Sequence, residues 1–347
     1  MRPAAGGPDG LGIGDNADRF LSVVAPCFNE SKTLDELHRR LSTVCHEAAG
    51  DSYEIVLVND GSRDDTWKRM AVLAMRDTHL VAINLTRNYG HQVALSAGLD
   101  HCRGERILII DADLQDPPEL LLPMLKLMSD GADVVYGQRR ARHGETRVKT
   151  ALTRIYYRLL RRLVDIDIPL DTGDFRLISR RVLRVLQAMP EQTRFIRGMV
   201  SWMGLKQVPL VYDRDARFAG ETGYPLRKLI ALALDGITGF SIVPLRIASY
   251  FGLLTGALGL GMLIYTLGGW MFAKAPVGWA STTTIVLIMG GVQLLVLGII
   301  GEYLGRLYLE SKRRPLYLVE TILAHGAPAE QQRQPAAADR HSALRAS

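Results

Sequence analysis

The chain has 347 residues, 48% hydrophobic and 22% charged, which suffices for two ordinary domains or for one domain plus a membrane part and excludes a small disulfide scaffold. Forty-two Lys and Arg against 36 Asp and Glu leave a net charge of +6, favouring an anionic partner: a lipid surface, phosphates or nucleic acid. Cys27, Cys45 and Cys102 are an odd number without metal-type spacing, so neither a disulfide framework nor a zinc site is expected.

Residues 1–18 are rich in Gly, Ala, Pro and Asp and carry no apolar run. They read as a disordered tail, not a secretory signal, so the following domain is expected in the cytosol. From 19 to 224 short apolar runs alternate with helix-period stretches. Phe20–Ala25, Glu54–Val58, Leu80–Leu85, Arg106–Ile110 and Asp133–Tyr136 read as strands, and Thr33–Ala48 and Asp65–Met75 as helices. That alternation predicts an α/β domain with a mostly parallel sheet flanked by helices. Residues 225–245, mixed apolar and basic, read as a juxtamembrane amphipathic helix.

Ile247–Phe272 has no charged residue over 26 positions and Ala275–Gly301 none over 27. Each exceeds the ~18-residue threshold for a membrane span, predicting two transmembrane helices within 246–305. Arg227, Lys228 and Arg246 precede the first span and Arg306, Lys312, Arg313 and Arg314 follow the second, against Lys274 alone between them. Both ends are therefore expected on the cytosolic side of a multi-pass membrane protein. Residues 306–347 read as a basic, disordered cytosolic tail.

The sharpest chemical feature is an apolar run that ends in Asp111-Ala112-Asp113-Leu114-Gln115-Asp116. On an extended segment residues two apart share a face, so Asp111 and Asp113, with Gln115, are expected to converge at the carboxyl edge of the sheet. Their oxygens suit Mg²⁺ or Mn²⁺. Upstream, two strands run into Pro26-Cys27-Phe28-Asn29-Glu30-Ser31 and Val58-Asn59-Asp60-Gly61-Ser62. Asp60 can accept from a base N–H and Glu30 from ribose hydroxyls, while helix capping by Ser31 or Ser62 is the plainer reading. With no glycine-rich phosphate loop of either usual pattern, a metal would have to neutralise a diphosphate.

Asn29-Glu30-Ser31, Asn59-Asp60-Gly61-Ser62, Arg87-Asn88-Tyr89-Gly90-His91-Gln92, the Asp111–Glu119 run, Asp171-Thr172-Gly173-Asp174-Phe175-Arg176 and Ala219-Gly220-Glu221-Thr222 together resemble glycosyltransferase family 2. With two C-terminal spans the chain is similar to the polyprenyl-phosphate glycosyltransferases of that family, the group of bactoprenol glucosyltransferases and dolichol-phosphate mannose synthases. The resemblance implies a GT-A fold and metal-dependent, inverting transfer of a hexose from a nucleotide sugar to a polyprenyl phosphate. It implies that Pro26, Phe28, Glu30, Val58, Asp60, Asp111 and Ala112 hold the donor nucleotide, and that Asp111, Asp113 and Gln115 hold the metal. Asp113, Arg139 and Arg217 then act at the reacting phosphates. Where the family commonly carries a lysine after Glu-Thr, this chain has Gly223, with Arg214, Arg227 and Lys228 nearby in sequence.

UDP-glucose is the expected donor, with GDP-mannose the alternative, and a homo-oligomer fits the resemblance. A non-catalytic lipid-handling protein is the alternative from another class, opposed by intact Asp111 and Asp113. Nucleic-acid binding is not expected, because the basic residues gather near the spans. Most cations between Arg140 and Arg162 read as facing solvent or anionic lipid. His91 reads as structural, and Asp171 and Asp174 as turn residues or sugar ligands.

Overall fold

A computed structural model describes residues 19–140, 172–213, 243–272 and 278–324. Of these, 19–140, 172–213 and 315–324 form one compact unit, and 243–272 with 278–314 a second.

The first unit is built on β1 (Arg19–Cys27), β2 (Tyr53–Asn59), β3 (Leu80–Leu85), β4 (Gly104–Ile109), β5 (Val134–Arg139), β6 (Thr172–Ser179), β7 (Gln207–Tyr212) and β8 (Val319–Ala324). Its helices are α1 (Leu34–Ala49), α2 (Thr66–Arg76), α3 (His91–His101), α4 (Leu121–Ser129), α5 (Arg180–Ala188) and α6 (Ile196–Trp202). All seven residues of β2 are buried, which is what helices on both faces of a sheet require. Leu34, Leu37, Leu41, Val44 and Cys45 form the apolar stripe by which α1 joins the core. On α3, a Cβ at Gly98 would lie 2.3 Å from Val24 Cγ1. Only glycine lets this helix approach β1 so closely, and its first residues, His91 and Gln92, are thereby fixed against the sheet.

The eight strands run in the order β7-β5-β6-β4-β1-β2-β3-β8. The pairs β1–β2, β1–β4, β2–β3 and β5–β7 are parallel, whereas β4–β6, β5–β6 and β3–β8 are antiparallel. The expected α/β architecture is present, with a mixed sheet. The chain winds outward through β1, β2 and β3, then returns to place β4 on the other side of β1. That reversal opens a crevice beyond the carboxyl ends of β1 and β4, the usual ligand position of an open α/β sheet.

The second unit is a pair of packed helices, α7 (Val243–Phe272) and α8 (Trp279–Ser311). Both are long and apolar enough to cross a membrane, with windows Val243–Tyr265 and Ile288–Ser311 at mean hydropathy 1.8 and 1.6. These windows are 6% and 0% buried, so they are not core helices of a globular unit. The helices overrun the expected 246–305 at both ends. Backbone hydrogen bonding does not stop where charge begins, and Glu302 and Arg306 make an i,i+4 ion pair at 3.1 Å that favours continuing α8. Residues 243–245, expected in the amphipathic helix, are the first turn of α7, and 225–242 lie outside the described residues.

The segment expected as a disordered tail from 306 needs a larger correction. It finishes α8, and Val319–Ala324 then add to the sheet as β8, antiparallel to β3. Tyr317, 5% exposed, donates to Asp100 Oδ2 at 2.7 Å just before the strand. Six residues give little local signal; the open edge of β3, over 230 positions earlier, supplies the pairing. The expected tails 1–18 and 325–347 fall outside the described residues.

Candidate active site

Two loops beyond β1 and β2 are knitted together by polar contacts. Asn29, at φ 59°, donates its N–H to Ser62 Oγ at 3.0 Å and accepts from the Arg63 N–H at 2.9 Å through Oδ1. The Glu30 N–H donates to Thr66 Oγ1 at 2.9 Å, and Thr33 Oγ1 donates to Glu30 Oε2 at 3.0 Å. Ser62 thus bridges loops instead of capping a helix. Asp60, 2% exposed, accepts from the backbone N–H groups of Tyr89 and Gly90 at 2.7 and 3.0 Å. Burial raises its carboxyl above the usual range, partly offset by those two N–H groups. Gly61, at φ +62°, lies so close to the Arg87–Asn88 peptide that a Cβ would sit 2.5 Å from it. Asp60 therefore clamps the loop before α3 onto the loop after β2. Phe28 projects beside them, 43% exposed.

Pro26 and Val58 are cross-strand partners and both are buried. Val58 packs towards Gly98 of α3. Ala112 is likewise 3% exposed.

The acid loop departs from an extended segment. Leu114 adopts φ 58°, a costly conformation for a branched side chain and of the kind that clusters at functional sites. The loop turns after Asp111, so strand alternation does not set the directions of Asp113 and Gln115. Asp113 Oδ1 accepts from the Gln115 N–H at 3.1 Å. Burial, together with the charges of Asp174, Asp116 and Asp113, pushes Asp111 up to about 6 against the opposing pull of His91. Its Oδ1 is buried and accepts no hydrogen bond, although His91 Nε2 lies 3.4 Å away. A buried carboxylate oxygen left this way calls for a cation. Among the described residues no three His, Cys, Asp or Glu side chains form a ready metal cage. This donor set suits an ion that takes one or two carboxylates and completes its shell with water and substrate phosphates.

The antiparallel β6 brings a second group of residues to this edge. Ile109 pairs with Arg176, and continuing that register brings Asp174 level with Asp111. Asp174, 8% exposed, accepts from Gln92 Nε2 at 2.7 Å, and His91 Nε2 and Arg197 Nη2 each lie 3.3 Å from its carboxylate. Burial opposes ionisation there, but the His91 hydrogen bond and the Arg197 and Arg176 charges hold the carboxyl far below its usual range. The charges of Asp174 and Asp111 in turn raise His91 against its own burial. Nearby, the fully buried Asp116 accepts from the Tyr212 hydroxyl and lies 3.6 Å from Arg139 Nη2.

Residues 22–186 match the model of glycosyl transferase family 2, and residues 243–307 match that of the GtrB C-terminal hairpin. An uncharacterised glycosyltransferase of Bacillus subtilis, YkcC, is 45% identical over 86% of this chain and 93% of its own length. The chain belongs to glycosyl transferase family 2. Also similar are the prophage bactoprenol glucosyl transferase homolog of Escherichia coli K12, at 38% identity over 87% of this chain and 99% of that one, and the bactoprenol glucosyl transferase of Shigella phage SfV, at 38% over 86% and 98%.

In this family 2 chain the residues singled out from sequence divide into three groups. Glu30 and Asp60 meet through the knitted loops, and Asp111 and Asp113 share one turn. Arg139 reaches the acid loop through Asp116. Arg217, with Asp171, Gly223 and the basic run 142–162, lies outside the described residues. Sequence reasoning gave no firm role to Asp174, His91 or Gln92 and passed over Arg197 and Tyr212. One signal was present: the otherwise apolar Asp174-Phe175-Arg176-Leu177-Ile178 run carries an acid and a base two positions apart, both of which are buried and demand partners.

Proposed function

We propose that the chain catalyses inverting transfer of glucose from UDP-glucose to a polyprenyl phosphate, at the cytosolic face of a membrane crossed by α7 and α8. The observation that carries this reading is the half-buried Asp111 carboxylate, whose Oδ1 is buried without a hydrogen bond, at the winding reversal of a family 2 sheet. The acceptor is suggested by the relatives named bactoprenol glucosyl transferase, together with a hairpin of matching type. Sidedness rests on Arg246 in the first turn of α7 and on Lys312, Arg313 and Arg314 after α8.

Phe28 offers an exposed ring for the base, Asp60 orders the loop beside it, and Glu30 offers acceptor oxygens to ribose hydroxyls. A bound Mg²⁺ or Mn²⁺ would be held by Asp111 and Asp113, with Gln115 beside them, and would supply positive charge against the departing nucleoside diphosphate. Arg139 presents a guanidinium to phosphate oxygens, and its orientation is held by Asp116 and the Tyr212 hydroxyl at 3.4 Å. Arg217 is assigned the same chemistry by its motif. The acceptor attacks the anomeric carbon from the face opposite the leaving group, which inverts configuration. A phosphate monoester, with a second pKa of about 6, is already anionic at neutral pH and needs no strong general base.

The test is incubation of the detergent-purified full chain with polyprenyl phosphate and a panel of UDP- and GDP-sugars, with Mg²⁺ or Mn²⁺ or with EDTA. The expected product by mass spectrometry is a glucosyl phospholipid formed from UDP-glucose and abolished by EDTA. Product from GDP-mannose alone would replace the donor; bound lipid phosphate with no product from any donor would overturn the enzymatic reading. Arg139→Ala is expected to lower kcat/KM about 10²-fold, the scale of losing one charge-stabilising donor, while Arg76→Ala, at an exposed position of α2, stays within about twofold. Equal kinetics for the two variants would remove Arg139 from the site.

A further inference from the structure

We infer that β8, the strand that follows the helical hairpin, positions the donor-nucleotide loops through Glu320. The inference rests on the placement of the nucleotide at the Phe28–Ser31 and Asn59–Ser62 loops proposed above.

The register between β3 and β8 carries the argument. Asn84 pairs with Thr321, but the next residue, Leu85, pairs with Val319, so Glu320 is the extra residue of an irregularity in the ladder. Such bulges re-aim a side chain, and they recur beside active sites. Here Glu320 Oε2 accepts from Asn84 Nδ2 at 2.7 Å. Asn84 Oδ1 accepts from Asn59 Nδ2 at 2.6 Å, across the β2–β3 pair in which the two asparagines are register partners. Asn59 Oδ1 in turn accepts from the Ser62 N–H at 3.2 Å. Asn59 is 3% and Asn84 9% exposed. Their amides have fixed donor and acceptor ends, so the acceptor at Glu320 sets which way both are turned.

A second contact reaches the other half of the clamp. The Thr86 N–H donates to the Leu318 carbonyl at 3.1 Å, just before β8 begins. Thr86 opens the loop whose Tyr89 and Gly90 N–H groups bind Asp60. Both loops that Asp60 joins are thus tied to residues 318–320, one through a side-chain relay and one through main chain. If Glu320 loses its acceptor, Asn84 and Asn59 are free to flip, and the Asn59–Ser62 turn loses the hydrogen bond that orders it. Glu320 is a positioning residue: it acts through two others and touches no substrate.

The test uses the detergent-purified full chain carrying Glu320→Ala, Glu320→Gln, Asn84→Ala or Phe28→Ala. UDP affinity is read by calorimetry, and KM for UDP-glucose and for polyprenyl phosphate from initial rates. Glu320→Ala is expected to raise the Kd for UDP and the donor KM about fivefold, the scale of one partly lost hydrogen bond, with kcat and the lipid KM within about twofold. Glu320→Gln, which keeps an acceptor oxygen, is expected to bind UDP like the parent. Asn84→Ala is expected to match Glu320→Ala, with no added effect in the double variant. Unchanged UDP affinity in Glu320→Ala beside weakened affinity in Phe28→Ala would overturn the inference and leave the nucleotide site standing. Unchanged affinity in both would take down the nucleotide placement itself. A Glu320→Ala protein with a lower melting temperature and both KM values raised alike would reduce β8 to a packing role and overturn the inference.

Discussion

Asp113→Ala is expected to lower glucosyl transfer about 10³-fold while leaving the melting temperature within about 2 °C of the parent. Asp113 is half-buried at a loop turn, and its Oδ1 accepts from the Gln115 N–H, so truncation removes little packing. In the proposed reading the carboxylate's main task is to hold the cation that opposes charge on the leaving diphosphate. Several kcal/mol of transition-state stabilisation then disappear at once, each 1.36 kcal/mol being a factor of ten. Initial rates over a wide range of Mn²⁺ concentrations would separate this from weakened metal affinity, which excess metal restores. Metal-dependent transfer within tenfold of the parent would refute a ligand role for Asp113. Asp111→Asn is a less clean probe, because that carboxyl is more deeply embedded among His91, Asp174 and Asp116.

Asp174→Asn is expected to cost stability as well as rate. The change removes the charge from a group 8% exposed that faces His91, Arg197 and, through its own carbonyl, Arg176 Nε at 3.3 Å. Arg176 is 2% exposed, and burial already lowers its guanidinium to about 10. Breaking one side of such a buried pair costs about 3–5 kcal/mol, or roughly 10 °C of melting temperature for a domain of this size. The sign of the pH dependence follows from the depressed Asp174 carboxyl. Its stabilisation is present above the ordinary carboxylate pKa of about 4 and is lost as pH falls below it. Thermal scans of parent and Asp174→Asn are therefore expected to differ most at pH 7 and to converge in acid. A difference independent of pH would show that Asp174 acts by shape and not by charge.

The strands β1 to β5 and the helices α1 and α2 were readable because the strands are near-continuous apolar runs and the two helices carry one apolar face, both local patterns, whereas α3, buried over six consecutive residues, shows no such face. The acid loop was readable for the same reason: an apolar run stopping at Asp111 is visible in a window of ten residues. Asp174, His91 and Gln92 were not, since their meeting depends on β6 running antiparallel beside β4, a pairing between residues about seventy positions apart. The expected convergence of Asp111, Asp113 and Gln115 rested on an extended backbone, and the left-handed Leu114 breaks it; nothing in a leucine announces φ 58°. β8 was missed for a third reason. Its neighbours are Arg, Pro, Ala and Gln, and average composition hides six strand residues whose partner lies on the far side of two apolar helices.

That last strand also orders the events of biosynthesis. β8 leaves the ribosome about a hundred residues after β7, with both hairpin helices made in between. Until then β3 presents an unpaired edge and the chain from Leu318 to Glu320 is absent from the loops it ties. Domains ordinarily mature as units while they emerge, but this one reaches its final sheet only once the apolar pair has been synthesised. A nascent chain stalled before the hairpin therefore lacks the strand that closes the edge of β3 and the contacts that tie its loops.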